Sequence, residues 1–84
     1  MKASIDEVKN VIAAFVTRTR GLDGTKIQAD TELLRDGYLD SFSVVSLSTE
    51  IEQALKLSLP SGTLLPEDFE SVQVLYDRLI EATS

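Results

Sequence analysis

The spacing of apolar residues leaves this chain one kind of fold. Ile5, Val8, Val11, Ile12, Phe15 and Val16 recur at steps of three and four, the period that places them on one side of an α-helix. Val44, Leu47, Ile51, Ala54 and Leu55 repeat the pattern, as do Val72, Leu75, Tyr76, Leu79 and Ile80. No segment of useful length alternates with the period of two that a half-buried strand needs. Three apolar stripes leave water only by facing one another. The expected class is therefore all-α: a small four-helix bundle of three main helices and one short helix, with a long first loop.

Local signals set the boundaries. Ser4-Ile5-Asp6-Glu7 is a capping box, and the first helix runs about four turns from it. Arg18 and Arg20 suit the negative end of its dipole, and Gly21 is the expected C-cap. Asp40 is the expected N-cap of a second helix from Ser41 to about Lys56, after which Leu57, Leu59 and Pro60-Ser61-Gly62 turn the chain. Pro66-Glu67-Asp68-Phe69 reads as one short helical turn with proline first, and Ser71 caps the last helix. A structureless connection as long as residues 21–40 is unusual in a small bundle. Its apolar residues, Leu22, Ile27, Leu33, Leu34, Tyr38 and Leu39, are expected to pin it across the end of the core. Asp30 or Thr31 is expected to cap a short turn carrying Leu33 and Leu34, and Asp36-Gly37 to turn the chain before Ser41.

Composition narrows the function classes. Eighty-four residues make one domain, 1–84, with no room for a second core. The net charge of −6 makes nucleic acid a poor partner, because binding it needs Lys and Arg to neutralise phosphates. A basic protein surface is a better one, although solubility alone accounts for the acids equally well. The chain has no Cys and no His, which removes disulfides, thiolate zinc sites, Cys nucleophiles and any Ser–His relay. Glu67, Asp68 and Glu70 are close in sequence but lack calcium-loop spacing, so no metal site is expected. The N-terminus turns acidic at Asp6 and no apolar run reaches membrane-spanning length. The expectation is a cytoplasmic monomer with no membrane insertion.

Asp36 to Leu47 reads Asp-Gly-Tyr-Leu-Asp-Ser-Phe-Ser-Val-Val-Ser-Leu. Ser41 follows Asp40 at the start of a helix, where a hydroxyl is expected to be exposed, fixed in direction and surrounded by unpaired backbone N–H groups. Such a position suits a covalently attached phosphate. The rest of the chain holds almost no chemistry, so Ser41 matters as a group that another enzyme modifies. Phe42 and Val45 lie one turn apart beside the core stripe, as peripheral core or as an apolar patch for partners. Leu64, Leu65 and Phe69 either close the mouth of the bundle or line a space for an attached chain. Glu50 and Glu52 read as a solvated face.

On these residues the chain resembles the acyl carrier proteins over essentially its whole length. The family signature is an Asp-Ser-Leu-like tripeptide after a Gly-x-Leu lead-in. Here it is Gly37-Tyr38-Leu39-Asp40-Ser41-Phe42, with Phe42 in place of the commoner Leu. Pro66-Glu67-Asp68-Phe69-Glu70-Ser71 also looks like the family's approach to its last helix. The resemblance implies 4′-phosphopantetheine on Ser41, transferred from coenzyme A by a Mg-dependent phosphopantetheinyl transferase. Asp40, Phe42 and Val45 would flank the arm. The arm's thiol would hold cargo as a thioester, supplied by a loading ligase and passed to downstream synthase or transferase enzymes. The protein would be a carrier, not an enzyme. Beginning at Met1 and ending soon after the last helix, it reads as stand-alone.

One departure bears on the pathway. The fatty-acid carriers usually present several acids along the helix that starts at the modified serine. Here that stretch holds Ser43, Ser46 and Ser48, with acids only at Glu50 and Glu52. The expectation is a specialised acyl carrier of polyketide or other secondary biosynthesis. The alternatives are an aminoacyl or peptidyl carrier loaded by an adenylating ligase and, from another class, an unmodified helical interaction domain.

Overall fold

A computed structural model describes residues 3–60 and 62–83. Met1, Lys2 and the Ser61 of the expected Pro60-Ser61-Gly62 turn lie outside them. Three α-helices are present: α1 (Ile5–Arg20), α2 (Ser41–Ala54) and α3 (Val72–Thr83). Two short 3₁₀ turns, Gly24–Lys26 and Pro66–Phe69, sit in the connections. No strand occurs among the described residues.

Each helix begins where its cap predicts. The Ser4 hydroxyl accepts from the Glu7 N–H at 3.3 Å, and Gly21 closes α1 in the left-handed region. The Ser71 hydroxyl accepts from the Val74 N–H at 3.1 Å to start α3. The buried faces are Val8, Ile12, Phe15 and Val16 from α1, Val44, Leu47 and Ile51 from α2, and Val72, Leu75 and Leu79 from α3. Each such side chain contributes roughly 1.5–3 kcal/mol on leaving water.

Two expected core residues are outside. Ala54 is exposed because α2 ends there. Lys56 adopts φ 56°, the Leu57 N–H donates to the Glu52 carbonyl at 2.8 Å, and the chain reverses. That reversal stops the helix short of Lys56 and brings Leu55 and Leu57 against the core instead. Ile80 is 39% exposed, since it lies about 100° round the helix from the fully buried Leu79.

The long connection is ordered, as expected, but by more than its side chains. Ile27, Leu33 and Leu39 are buried, and Leu22, Leu34 and Tyr38 partly so. The Leu33 N–H donates to the Glu70 carbonyl at 2.8 Å, and the Gln73 N–H donates to the Ala29 carbonyl at 3.0 Å. The connection is thus stitched to the junction that leads into α3. The turn carrying Leu33 and Leu34 is present, closed by Asp36 N–H to Glu32 carbonyl at 2.8 Å. Its expected cap is not: the Thr31 hydroxyl accepts from the Gln28 N–H at 2.8 Å, closing the preceding turn, and Asp30 is exposed. The 3₁₀ turn at Gly24–Lys26 was not expected. Gly24 lies so close to α1 that a Cβ there would meet the Ala13 carbonyl oxygen at 2.4 Å.

Beyond α2, Leu64 is partly buried, Leu65 is 47% exposed and Phe69 is fully buried. Phe69 therefore closes the core, and Leu65 does not. No helix among the described residues is long and apolar enough to cross a membrane.

Candidate functional site

Ser41 is the first residue of α2 and is exposed. Its neighbours fix the turn around it. Asp40 Oδ1 accepts from the Phe42 N–H at 3.0 Å and from the Ser43 N–H at 2.7 Å, and the Asp40 carbonyl accepts from the Val44 N–H at 3.1 Å. Asp40 is thus the N-cap, as its type and position predict. The same bonds correct one expectation: the Phe42, Ser43 and Val44 amides are not open around the hydroxyl, because the cap has engaged them. A phosphate on Ser41 would project from a finished helix end rather than settle among free amides.

The other Asp40 oxygen has a partner that the sequence did not reveal. Arg20 Nη1 donates to Asp40 Oδ2 at 2.9 Å and to Ser43 Oγ at 3.3 Å, and Arg20 Nη2 donates to the Gly37 carbonyl at 3.3 Å. Gly37 itself holds φ 83°, a conformation that strains any other L-residue. The Ser43 N–H first, then the Ser43 hydroxyl and the Arg20 guanidinium, lower the Asp40 pKa to about 2. Asp40 is therefore a carboxylate at any ordinary pH, a fixed acceptor and no proton donor.

Phe42 is 88% exposed and Val45 70% exposed, one turn apart on the solvent side of α2. They are not peripheral core. Their exposure rules out the first of the two sequence readings and leaves two apolar side chains in the open near Ser41. Glu50 is not a free solvated acid, since Arg18 forms an ion pair with it. Asp40 at the start of α2 and Glu50 farther along it are both answered by arginines from the last turn of α1.

An open groove of about 510 Å³ runs along α2 below this patch, between Val44, Val45, Ser48 and Thr49 on the helix and Leu59 and Leu64 on the following connection. Leu64 thus lines this space. Leu65 and Phe69 do not. Among the described residues no group of three or more acidic side chains is placed to hold a metal ion. The arrangement supplies an accessible hydroxyl on a rigid corner, flanked by apolar side chains, with a shallow groove within reach. That fits a covalent arm, which needs an open attachment atom and room to move.

Comparison with known proteins gives a consistent result. Residues 9–79 match the family described as the phosphopantetheine attachment site. The D-alanyl carrier protein of Lactococcus lactis subsp. cremoris (strain MG1363) is 29% identical over 76 residues, covering 90% of this chain and 96% of that protein. The D-alanyl carrier protein of Lactococcus lactis subsp. lactis (strain IL1403) is 28% identical over 74 residues, covering 88% and 94%. No solved structure is significantly similar to the chain.

Proposed function

This chain belongs to the phosphopantetheine-attachment family, and on that premise we propose that it is an aminoacyl carrier protein whose arm is attached at Ser41. The family's prosthetic group is covalently bound 4′-phosphopantetheine, which supplies a thiol to a chain that has no Cys. The observation that carries the choice of residue is the exposed Ser41 hydroxyl at the capped start of α2. In the attachment step the Ser41 oxygen forms a bond to phosphorus and the pyrophosphate bond of coenzyme A breaks. The adenosine bisphosphate leaves with the electron pair, and the hydroxyl proton passes to a base on the transferase. The chain needs no base of its own, and without His it has no Ser–His relay.

Asp40 holds the end of α2 in shape, and Phe42 and Val45 give the transferase and the loading enzyme an apolar surface beside the arm. The cargo class follows the relatives. They are D-alanyl carriers, which supports the aminoacyl alternative over a polyketide acyl group. An adenylating ligase that activates a small amino acid is then the loading partner, and the chain acts as a single carrier domain rather than as an enzyme.

The test is intact mass. With coenzyme A, Mg²⁺ and a broad-specificity phosphopantetheinyl transferase, the protein gains one phosphopantetheine and Ser41→Ala gains none. The holo-protein is then offered D-alanine with ATP and a D-alanine-activating ligase. A gain of one alanyl group supports the cargo reading. Loading only by acyl-transferring enzymes with acyl-coenzyme A overturns the cargo and leaves the attachment standing.

A further inference from the structure

We propose that Arg20 is a positioning residue for attachment at Ser41: its guanidinium ties the loop before the serine to the helical turn after it, so that the hydroxyl is presented in one direction. The inference rests on Ser41 being the attachment point.

The contacts are specific in place. Arg20 closes α1, yet all three of its hydrogen bonds fall within the seven residues that bracket Ser41: the Gly37 carbonyl before it, and Asp40 and Ser43 on either side. The Asp40 carboxylate divides its work. One oxygen gathers the Phe42 and Ser43 amides, and the other is held by Arg20, so the carboxylate cannot swing away from the amides it caps. Without Arg20, nothing on α1 grips Gly37, and the left-handed turn there loses its tie to the bundle.

General stability does not account for this arrangement. An exposed ion pair contributes little to folding, and Arg20 is about one-third exposed in its side chain while Asp40 is more than half exposed. What such a fork does well is fix geometry, because a planar guanidinium reaches two acceptors at once where an ammonium is a single point. Arg18 supplies the contrast. It sits in the same last turn of α1 and also pairs with α2, but its partner is Glu50, far along the helix from Ser41. The two arginines make the same kind of α1–α2 tie, and only one of them touches the turn that holds the serine.

The experiment is steady-state attachment with varied carrier concentration, using full-length apo-protein, coenzyme A, Mg²⁺ and a phosphopantetheinyl transferase. Arg20→Gln lets the turn sample geometries the transferase does not accept, which multiplies the apparent affinity by the competent fraction while saturation restores the rate. KM for the carrier is expected to rise about fivefold with kcat within about twofold, and the Phe42 and Ser43 amides to exchange faster with solvent. Arg20→Lys keeps the charge beside Asp40 but not the second contact, and its KM falls between the two. Arg18→Gln keeps the wild-type KM. If Arg20→Gln does not fold, Arg20→Lys decides: a KM about twofold higher with faster Ser43 exchange supports the role, and wild-type values for both overturn it. An unchanged KM in a folded Arg20→Gln, or an equal rise in Arg18→Gln, also overturns it. Mass gain persisting in Ser41→Ala overturns the attachment reading instead.

Discussion

At the Ser41 end of α2, polar groups do the holding. Asp40 caps the amides, Arg20 secures Asp40, Gly37 and Ser43, and the buried Leu39 and Leu33 anchor the approach. At the other end the chain leaves through a strained Lys56, and Leu55, Leu57, Leu59 and Leu64 pack only partly against the core. Arg78 of α3 grips this second connection at the Thr63 carbonyl, with Asp68 nearby at 3.8 Å. The difference separates exposure from looseness. The residues around Ser41 face water and are nonetheless fixed, because hydrogen bonds rather than burial define their positions. The far connection is held instead by partly buried leucines and by Arg78, and its Leu59 and Leu64 wall the groove along α2.

Three substitutions break or sharpen that contrast. Leu47 is fully buried midway between the two ends, and Leu47→Ala should cost about 2–5 kcal/mol in denaturant unfolding, loosening both ends together. Lys56→Gly acts on the far end alone. Removing the side chain from a left-handed position should stabilise the protein by about 0.5–1 kcal/mol without changing attachment kinetics. The smallest effect is at the near end and appears only against pH. The folded Asp40 pKa is lowered to about 2 from 3.8, so its contribution is fully present above about pH 4 and disappears as pH falls through about 2. Wild type should therefore exceed Asp40→Asn in melting temperature at pH 5 and converge on it near pH 2. A gap that widens on acidification would contradict the cap geometry.

Much of this was legible in the sequence, and the failures share a cause. Ser4, Asp40 and Ser71 all cap the helices their positions announce, because a cap is decided by residues three or four apart. The core faces followed from the same short period. Ala54 and Ile80 fit that period but sit outside, since periodicity names a stripe and not its width or where packing stops. The turn at Gly24–Lys26 is too short to have a period, and Gly24 is required there by the approach of Ala13, which lies on another element. Arg20 reads locally as a dipole charge. Its contacts with Gly37, Asp40 and Ser43 become visible only when α1 and the connection are placed together. The site was thus half legible: the serine, its cap and the apolar neighbours follow from one motif, whereas what steadies them comes from a distant helix.

The backbone bonds from Leu33 to Glu70 and from Gln73 to Ala29 have a consequence for timing. They join the stretch ahead of Ser41 to residues that are synthesised well after it. On the ribosome the serine emerges before either later partner, so neither bond can form until Glu70 and Gln73 have followed. On the reading that Ser41 carries the arm, the serine meets its transferase in the native setting only in the folded domain, and a chain cut short before Val72 is expected to display the motif and be a poor substrate.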